Sequence, residues 1–311
     1  MATVYTDTPQ NFNEIEAYVT TETKTFAEEI FQKSKCFFYD ACSFRRHANL
    51  VSEEVTCILE YVKRQNGMIV LTRCILMELA SHSGFLNQEY IQYVRTINSY
   101  GIDIFVIYEE DLFEVMDICF GTNAVINSYL SWAVRMIMSP VSTITDTLNQ
   151  NRNLYDEIVR KNCVESSSLY RRFFSAVRGN KESGDNLGEE LLAICLHILS
   201  YIPGEDDGKF CVITDDKGAA GKIDTLFRKT NIQYRGKKIG ILSTPKLVQI
   251  LYNENLLMDR EQVVAMLQNG SNGNIIVLGT RIYDLRSDEI AIGCEELADL
   301  IMTPNGIHIT F

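Results

Sequence analysis

Cys36-Phe37-Phe38-Tyr39 is an apolar run that breaks off at Asp40, and Phe210-Cys211-Val212-Ile213-Thr214 breaks off in the same way at Asp215-Asp216. Short apolar runs without alternation are the pattern of strands buried on both faces, as in a parallel sheet. A carboxylate at the end of such a strand is costly to desolvate unless it is paired or holds a cation. In an open parallel sheet the carboxyl ends of the strands are also where ligands bind. Two more acids stand in comparable places. Glu78 follows Met68-Ile69-Val70-Leu71 by one short helix, and Glu189 opens the apolar helix Leu191-Leu192-Ala193-Ile194. Carboxylates gathered at one edge repel each other, and a divalent metal is the usual remedy.

The segments between these runs read as helices. Val55, Ile58, Leu59 and Val62 follow helical spacing, with Ser52 as the N-cap, and Gly67 ends that helix before the second strand. Thr72 caps the next helix, through Ser81. A further helix over about Asn87–Asn98 leads through Gly101 to a third strand, Ile102–Tyr108. Later come a helix over Gly188–Ser200, the strand Phe210–Ile213, a helix over Gly218–Lys229, the strand Lys238–Leu242 and a helix begun by Pro245. Strands alternating with helices predict βαβ units, hence an α/β fold with a parallel, Rossmann-like sheet flanked by helices.

Three other segments depart from this alternation. Residues 1–35 form an N-terminal helical segment, interrupted by the threonine-rich stretch Thr20–Thr25, whose β-branched residues weaken a helix. A stretch of about 110–181 is helical with no clear strand and reads as an insertion into a domain spanning 36–258. Its Trp132, Tyr129, Ile137 and Met138 read as core. From 259 to 311 a helix, the turn-rich Asn269–Asn274, a hairpin and a short helix read as a small α+β C-terminal extension.

With 311 residues, 46% hydrophobic and 23% charged, the chain has the composition of an ordinary globular protein. No apolar run approaches the roughly 18–20 residues that span a bilayer. The start, Met1-Ala2-Thr3-Val4-Tyr5-Thr6-Asp7, lacks a basic region followed by an apolar one, so the expectation is a cytoplasmic protein without a membrane partner. The nine cysteines form no C-x-x-C pair and sit in apolar segments, as buried reduced thiols do. A net charge of −12 argues against a general nucleic-acid coating protein. Cations nevertheless lie near the acids in sequence: Arg45, Arg46 and His47 after Asp40, Arg171, Arg172, Arg178 and Lys181 before Glu189, and Lys217, Lys222, Arg228 and Lys229 after Asp216.

The order of these motifs resembles the PIN-domain nucleases. Asp40-Ala41-Cys42-Ser43 is similar to their first motif, Glu78 within Ile75-Leu76-Met77-Glu78-Leu79-Ala80 to the second, and Gly188-Glu189-Glu190-Leu191 to the third. Val212-Ile213-Thr214-Asp215-Asp216-Lys217, followed by Ile241-Leu242-Ser243-Thr244-Pro245, is similar to the fourth motif and closing strand. The resemblance covers roughly Cys36–Glu254, apart from the helical insertion. It departs from the family at Cys42, where serine, threonine or asparagine is usual and Ser43 stands one place late. The third acid is open between Glu189 and Asp185, the latter in Ser183-Gly184-Asp185-Asn186.

The resemblance implies an endoribonuclease using Mg²⁺ or Mn²⁺, leaving 5′-phosphate and 3′-hydroxyl ends, with a toxin or defence role. The metal set would be drawn from Asp40, Glu78, Asp185, Glu189, Asp215 and Asp216, whose oxygens suit hard cations. Two such ions clamp the attacking and leaving oxygens of a phosphodiester. Ser43, Thr214, Arg45, Arg46, Arg171, Arg172, Lys217 and Lys222 would hold single-stranded or structured RNA. The alternatives are a DNA-cleaving relative and a PIN-like scaffold that binds a partner without cleaving. The insertion and extension leave room for an inhibitory or activating protein partner, and a homo-oligomer stays open. Gly218–Ile223 lacks the spacing and hydroxyl of a phosphate loop, and neither G-x-G-x-x-G nor G-x-S-x-G occurs. Glu78 and His82, one helical turn apart, read more simply as independent residues than as a catalytic pair.

Overall fold

A computed structural model describes residues 5–139, 142–160, 164–224, 236–269, 271, 273–282 and 284–311. Its centre is a parallel five-stranded sheet of β1 (Lys35–Tyr39), β2 (Gly67–Thr72), β3 (Ile104–Ile107), β4 (Phe210–Ile213) and β5 (Gly240–Leu242). The strand order is β3-β2-β1-β4-β5. From β1 the chain builds outward to β2 and β3, then crosses back to lay β4 on the other side of β1. The order therefore reverses between β1 and β4, and the crevice beyond their carboxyl ends is where such sheets take ligands. Phe37, Phe38, Ile69, Val70, Phe105 and Val212 are buried in the core. Each fully buried side chain of this size contributes about 1.5–3 kcal/mol. Gly67 has no room for a side chain, because a β-carbon there would lie 2.7 Å from Phe37 Cε2 and 2.8 Å from the Val62 carbonyl.

The helices are α1 (Thr23–Gln32), α2 (Ala41–Ala48), α3 (Ser52–Arg64), α4 (Arg73–Leu79) and α5 (Gln88–Ser99). Between β3 and β4 come α6 (Leu112–Cys119), α7 (Asn123–Ile137), α8 (Thr143–Gln150), α9 (Arg152–Val159), α10 (Ser166–Gly179) and α11 (Leu187–Leu199). The helix after β4, α12, is described over residues 217–224. Its expected continuation to Lys229, including Arg228, lies outside the described residues, as does Arg235. Then follow α13 (Thr244–Asn253), α14 (Arg260–Gln268) and α15 (Cys294–Met302). Around α15 lies an antiparallel sheet of β6 (Asn274–Arg281), β7 (Asp288–Gly293) and β8 (Ile307–Ile309), in the order β7-β6-β8. Gly270 and Asn272 of the turn-rich stretch also lie outside the described residues. Among those described, no helix is long and apolar enough to cross a membrane.

Three local expectations are corrected. The threonine-rich stretch does not interrupt one long helix. Thr20 adds to the edge of β3, exchanging backbone hydrogen bonds with Ile104 and Val106, and α1 starts at Thr23. The β-branched residue thus lies in extended backbone, where it fits best. Thr72 precedes α4 without capping it; the N–H of Cys74 is taken by Glu109 Oε1 at 2.9 Å. Ser52 is the first residue of α3 rather than its cap, and Glu54 Oε2 accepts the Val51 N–H at 3.1 Å.

Candidate active site

Asp40 ends β1 and begins α2. Its Oδ1 accepts the Ala41 N–H at 2.7 Å, and its Oδ2 accepts Cys42 Sγ at 2.8 Å and Thr214 Oγ1 at 2.9 Å. The Thr214 hydroxyl ties the ends of β1 and β4 together across the crevice. Asp40 is 5% exposed, and burial pushes its carboxyl up, with repulsion from Asp216 adding to the effect and its three donors opposing it. Cys42 supplies a thiol donor to Asp40.

Asp216 caps α12, its Oδ1 accepting the N–H groups of Gly218 at 2.6 Å and Ala219 at 3.1 Å. Those bonds leave Asp216 Oδ2 without a protein donor among the described residues. Glu189, in the first turn of α11, pairs with Lys222 of α12 at 2.9 Å. Burial raises its carboxyl, Lys222 opposes this, and both Asp216 and Asp40 push it further up. Glu78 on α4 is likewise raised by burial, against Lys181 and with repulsion from Asp40. Asp40 is thus the common neighbour, with its carboxylate raising both Glu78 and Glu189 from separate stretches of chain.

The other two nominated acids are tied down. Asp215 accepts Ser43 Oγ at 2.9 Å, the Thr244 N–H at 2.7 Å and Thr244 Oγ1 at 2.7 Å, and it pairs with Arg46 at 3.1 Å. Asp185 accepts Thr143 Oγ1 at 3.0 Å and the N–H groups of Glu182 at 2.8 Å and Leu187 at 3.2 Å, and it also holds Lys181. It pins the loop between α10 and α11. Asp215 braces the turn after β4 against α2 and α13, and Asp185 braces the loop that leads into α11.

The cations divide similarly. Arg45 reaches the Glu78 carbonyl oxygen at 2.5 Å and Lys217 pairs with Glu289 of β7 at 3.2 Å. Arg46, Asp215 and Lys217 share a cleft of about 440 Å³ with Asn274 and Ile276 of β6, so the C-terminal sheet forms a wall beside the site. Arg171 and Arg172 lie in the middle of α10, where Arg172 is held by Glu157 of α9 at 2.6 Å. Seven residues of helix, about 10 Å at the usual rise, separate Arg172 from the end of α10. Neither joins the hydrogen-bond and ion-pair network around Asp40. His82, one turn beyond Glu78, is exposed and outside that network too.

Three participants stand outside the site residues expected from the sequence. Lys181, only 2% exposed, lies 3.0 Å from Glu78 Oε1 and also contacts Asp185. Burial pulls its pKa down, but the two carboxylates outweigh that and hold it above the ordinary lysine value. Gly188 gives Glu78 its room. A buried chain forms the third: Tyr93 Oη to Tyr39 Oη at 3.0 Å, Tyr39 Oη to His47 Nδ1 at 2.9 Å, and His47 Nε2 to Thr244 Oγ1 at 3.1 Å. Thr244 gives its proton to the acceptor-only Asp215, so His47 must donate from Nε2 and accept at Nδ1. Burial lowers the His47 pKa to about 4, keeping the ring neutral as this arrangement requires. In the sequence they show only as a glycine before an acid at a helix start and as cations lying near the acidic motifs.

Among the described residues, no three imidazole, thiol or carboxylate groups stand together as a metal site. Glu78 and Glu189 each hold a lysine. No family model, curated protein or solved structure matches this chain.

Proposed function

We propose that the protein is a metal-dependent nuclease of the PIN type that hydrolyses phosphodiester bonds in RNA. The observation that carries this reading is the placement of Asp40 and Asp216 after β1 and β4, at the crevice where the strand order reverses, with Glu78 packed against the start of the helix that carries Glu189. Their donor chemistry fits Mg²⁺ or Mn²⁺, which prefer oxygen ligands. Asp40, Asp216, Glu189 and Glu78 would hold the ion, with Glu189 rather than Asp185 as the third acid, since Asp185 is spent on its loop. When bound, a divalent ion lowers the pKa of water and offsets charge on the phosphate.

The chain's own residues do the rest. Thr214 and Cys42 orient Asp40, Asp215 and Ser43 fix the loop after β4, and Lys217 and Lys222 lie beside the carboxylates where a phosphate backbone would pass. Hydrolysis breaks the bond from phosphorus to the 3′-oxygen, leaving the 5′-phosphate and 3′-hydroxyl ends that the resemblance implies. A second reading, a scaffold that does not cleave, is favoured by the lysines already paired with Glu78 and Glu189.

The experiment is incubation of labelled RNA, and of DNA of matching sequence, with the protein in the presence and absence of Mn²⁺, beside Asp40→Asn. Cleavage of RNA that needs Mn²⁺ and is lost in the variant is the expected outcome. Equal cleavage by the variant overturns the site, preference for DNA corrects the substrate, and inert wild type favours the scaffold.

A further inference from the structure

The C-terminal sheet has two edges, and the fold closes only one of them. At β8 the side chain of Gln249 stands in for a further strand. Its Nε2 donates to the Ile307 carbonyl at 2.7 Å and its Oε1 accepts the Ile309 N–H at 3.0 Å, while Lys246 Nζ donates to the Ile309 carbonyl. The opposite edge is β7. It pairs with β6 from Gly279↔Asp288 to Asn274↔Gly293, and one step beyond, the Cys294 N–H donates to the Gly273 carbonyl at 3.0 Å. Hydrogen-bonded pairs alternate along an antiparallel ladder, so Asp288, Ile290 and Ile292 spend their backbone groups on β6. The N–H and C=O groups of Glu289, Ala291 and Gly293 therefore point away from the sheet, and no other backbone among the described residues bonds to them. Glu289 and Ala291 are exposed. An open edge of this kind is a template for another chain.

Charge decides which chain fits. Residues 259–311 carry eight acids against three arginines and no lysine. Asp288 and Glu289 lie on the edge strand, and Glu295 and Glu296 stand in the first turn of α15 directly after it. A second copy paired edge to edge would bring these acids together, whereas a basic segment would be drawn to them. We propose that β7 takes an extended, basic peptide segment of a partner protein as the fourth strand of this sheet. Its backbone bonds to Glu289, Ala291 and Gly293 supply the affinity, and its alternating side chains supply the selectivity. Cationic side chains lie on the face of Glu289, and apolar ones lie on the face of Ile290 and the buried Ile292. The bound strand sits beside the candidate active site, because Glu289 pairs with Lys217 of α12 at 3.2 Å. This inference is independent of the nuclease reading.

The probe is a capped peptide of alternating lysine and valine, about seven residues long so that it spans the edge. It is added to the full chain, and amide hydrogen exchange is followed by NMR. In the free protein the amides of Glu289, Ala291 and Gly293 should exchange fast and those of Ile290 and Ile292 slowly. The peptide should protect the fast set, and added salt should weaken it. Ala291→Pro deletes an outward N–H that the sheet does not use, at an edge position where proline is tolerated, and should weaken binding about tenfold. A matching peptide of glutamate and valine should leave the fast set unprotected. No protection by the lysine peptide, or equal protection by the glutamate peptide, would overturn the proposal, and neither result depends on a variant folding. Undiminished binding by Ala291→Pro would overturn it as well. A wild-type dimer that Ala291→Pro abolishes would assign the edge to a second copy instead.

Discussion

Gly188 and Glu78 approach so closely that a β-carbon on the glycine would lie 2.5 Å from Glu78 Oε1 and 2.9 Å from its carboxyl carbon. Helix α11 therefore presses its first turn directly against the acid on α4, and the absence of a side chain at that point sets where Glu78 rests. The same contact brings Glu78 to Lys181.

Gly188→Ala is accordingly expected to destabilise the protein, although alanine is favoured over glycine within a helix by about 1 kcal/mol. Overpacking of this kind costs about 1–3 kcal/mol. Denaturant melts of Gly188→Ala, Glu78→Ala and the double variant check it. The alanine should be harmful with Glu78 present and harmless or mildly stabilising once Glu78 is shortened, because only then is there room. Equal effects in both backgrounds would mean that Glu78 does not occupy this space.

Asp40 and Asp216 make opposite predictions without metal. Asp40→Asn removes charge from a buried group crowded by Asp216, so its melting temperature without metal should equal or exceed that of wild type. Asp216→Ala loses a helix cap and should cost about 1 kcal/mol, whereas Asp216→Asn keeps the cap. Added Mn²⁺ should raise the melting temperature of wild type more than that of Asp40→Asn, by mass action on the native state. Equal shifts would mean that Asp40 holds no ion.

How much of this could be read from the sequence depends on how local each feature is. Strands buried on both faces must be apolar throughout, so Cys36–Tyr39 and Phe210–Ile213 announced themselves and placed Asp40, Asp215 and Asp216 at their ends. Strand β8 has only three residues and exists because Gln249 and β6 hold it, and nothing local marks it. The division between Asp215 as brace and Asp216 as cap depends on Thr244, some thirty residues away. Lys181 looked like any cation on a solvated face, and its burial follows from a loop geometry set by Asp185 and Arg178. Thr20 leaves the helix because β3 offers it an edge, a tertiary gain that propensity does not contain.

The buried chain from Tyr93 to Asp215 predicts a large cost for a small change. Thr244→Val alters little in shape but removes the proton given to Asp215 and the acceptor for His47, both at a 1% exposed position. Asp215 keeps Ser43, Arg46 and the backbone N–H at 244 but loses a hydrogen bond to its charge, and the His47 Nε2–H is left without a partner, at about 1–3 kcal/mol each. A loss of roughly 2–4 kcal/mol in denaturant melts is expected on that basis. A loss under about 1 kcal/mol, the worth of an ordinary hydrogen bond, would mean that the chain carries no structural weight.

The pH dependence of stability should be flatter in wild type than in two variants that tilt in opposite directions. Burial lowers the His47 pKa to about 4, below its unfolded value, so the neutral ring stabilises the fold above pH ~6.5 and that contribution is lost as pH falls toward 4. Burial raises Glu190, which accepts Ser142 Oγ at 2.9 Å, to about 7. The protonated acid therefore favours the fold at low pH, and the advantage disappears as pH rises from about 4.5 through 7. Each shift corresponds to a limiting effect of roughly 3 kcal/mol, and across about pH 4.5–6.5 they oppose one another. Glu190→Gln keeps an acceptor for Ser142 without a charge, so it should match wild type near pH 4.5 and exceed it increasingly toward pH 8. His47→Gln should show the reverse tilt, its deficit relative to wild type largest near pH 7 and shrinking as the solution is acidified. Chemical denaturation at intervals from pH 4.5 to 8 in metal-free buffer measures both, and parallel curves for wild type and Glu190→Gln would show that Glu190 is already ionised in the fold.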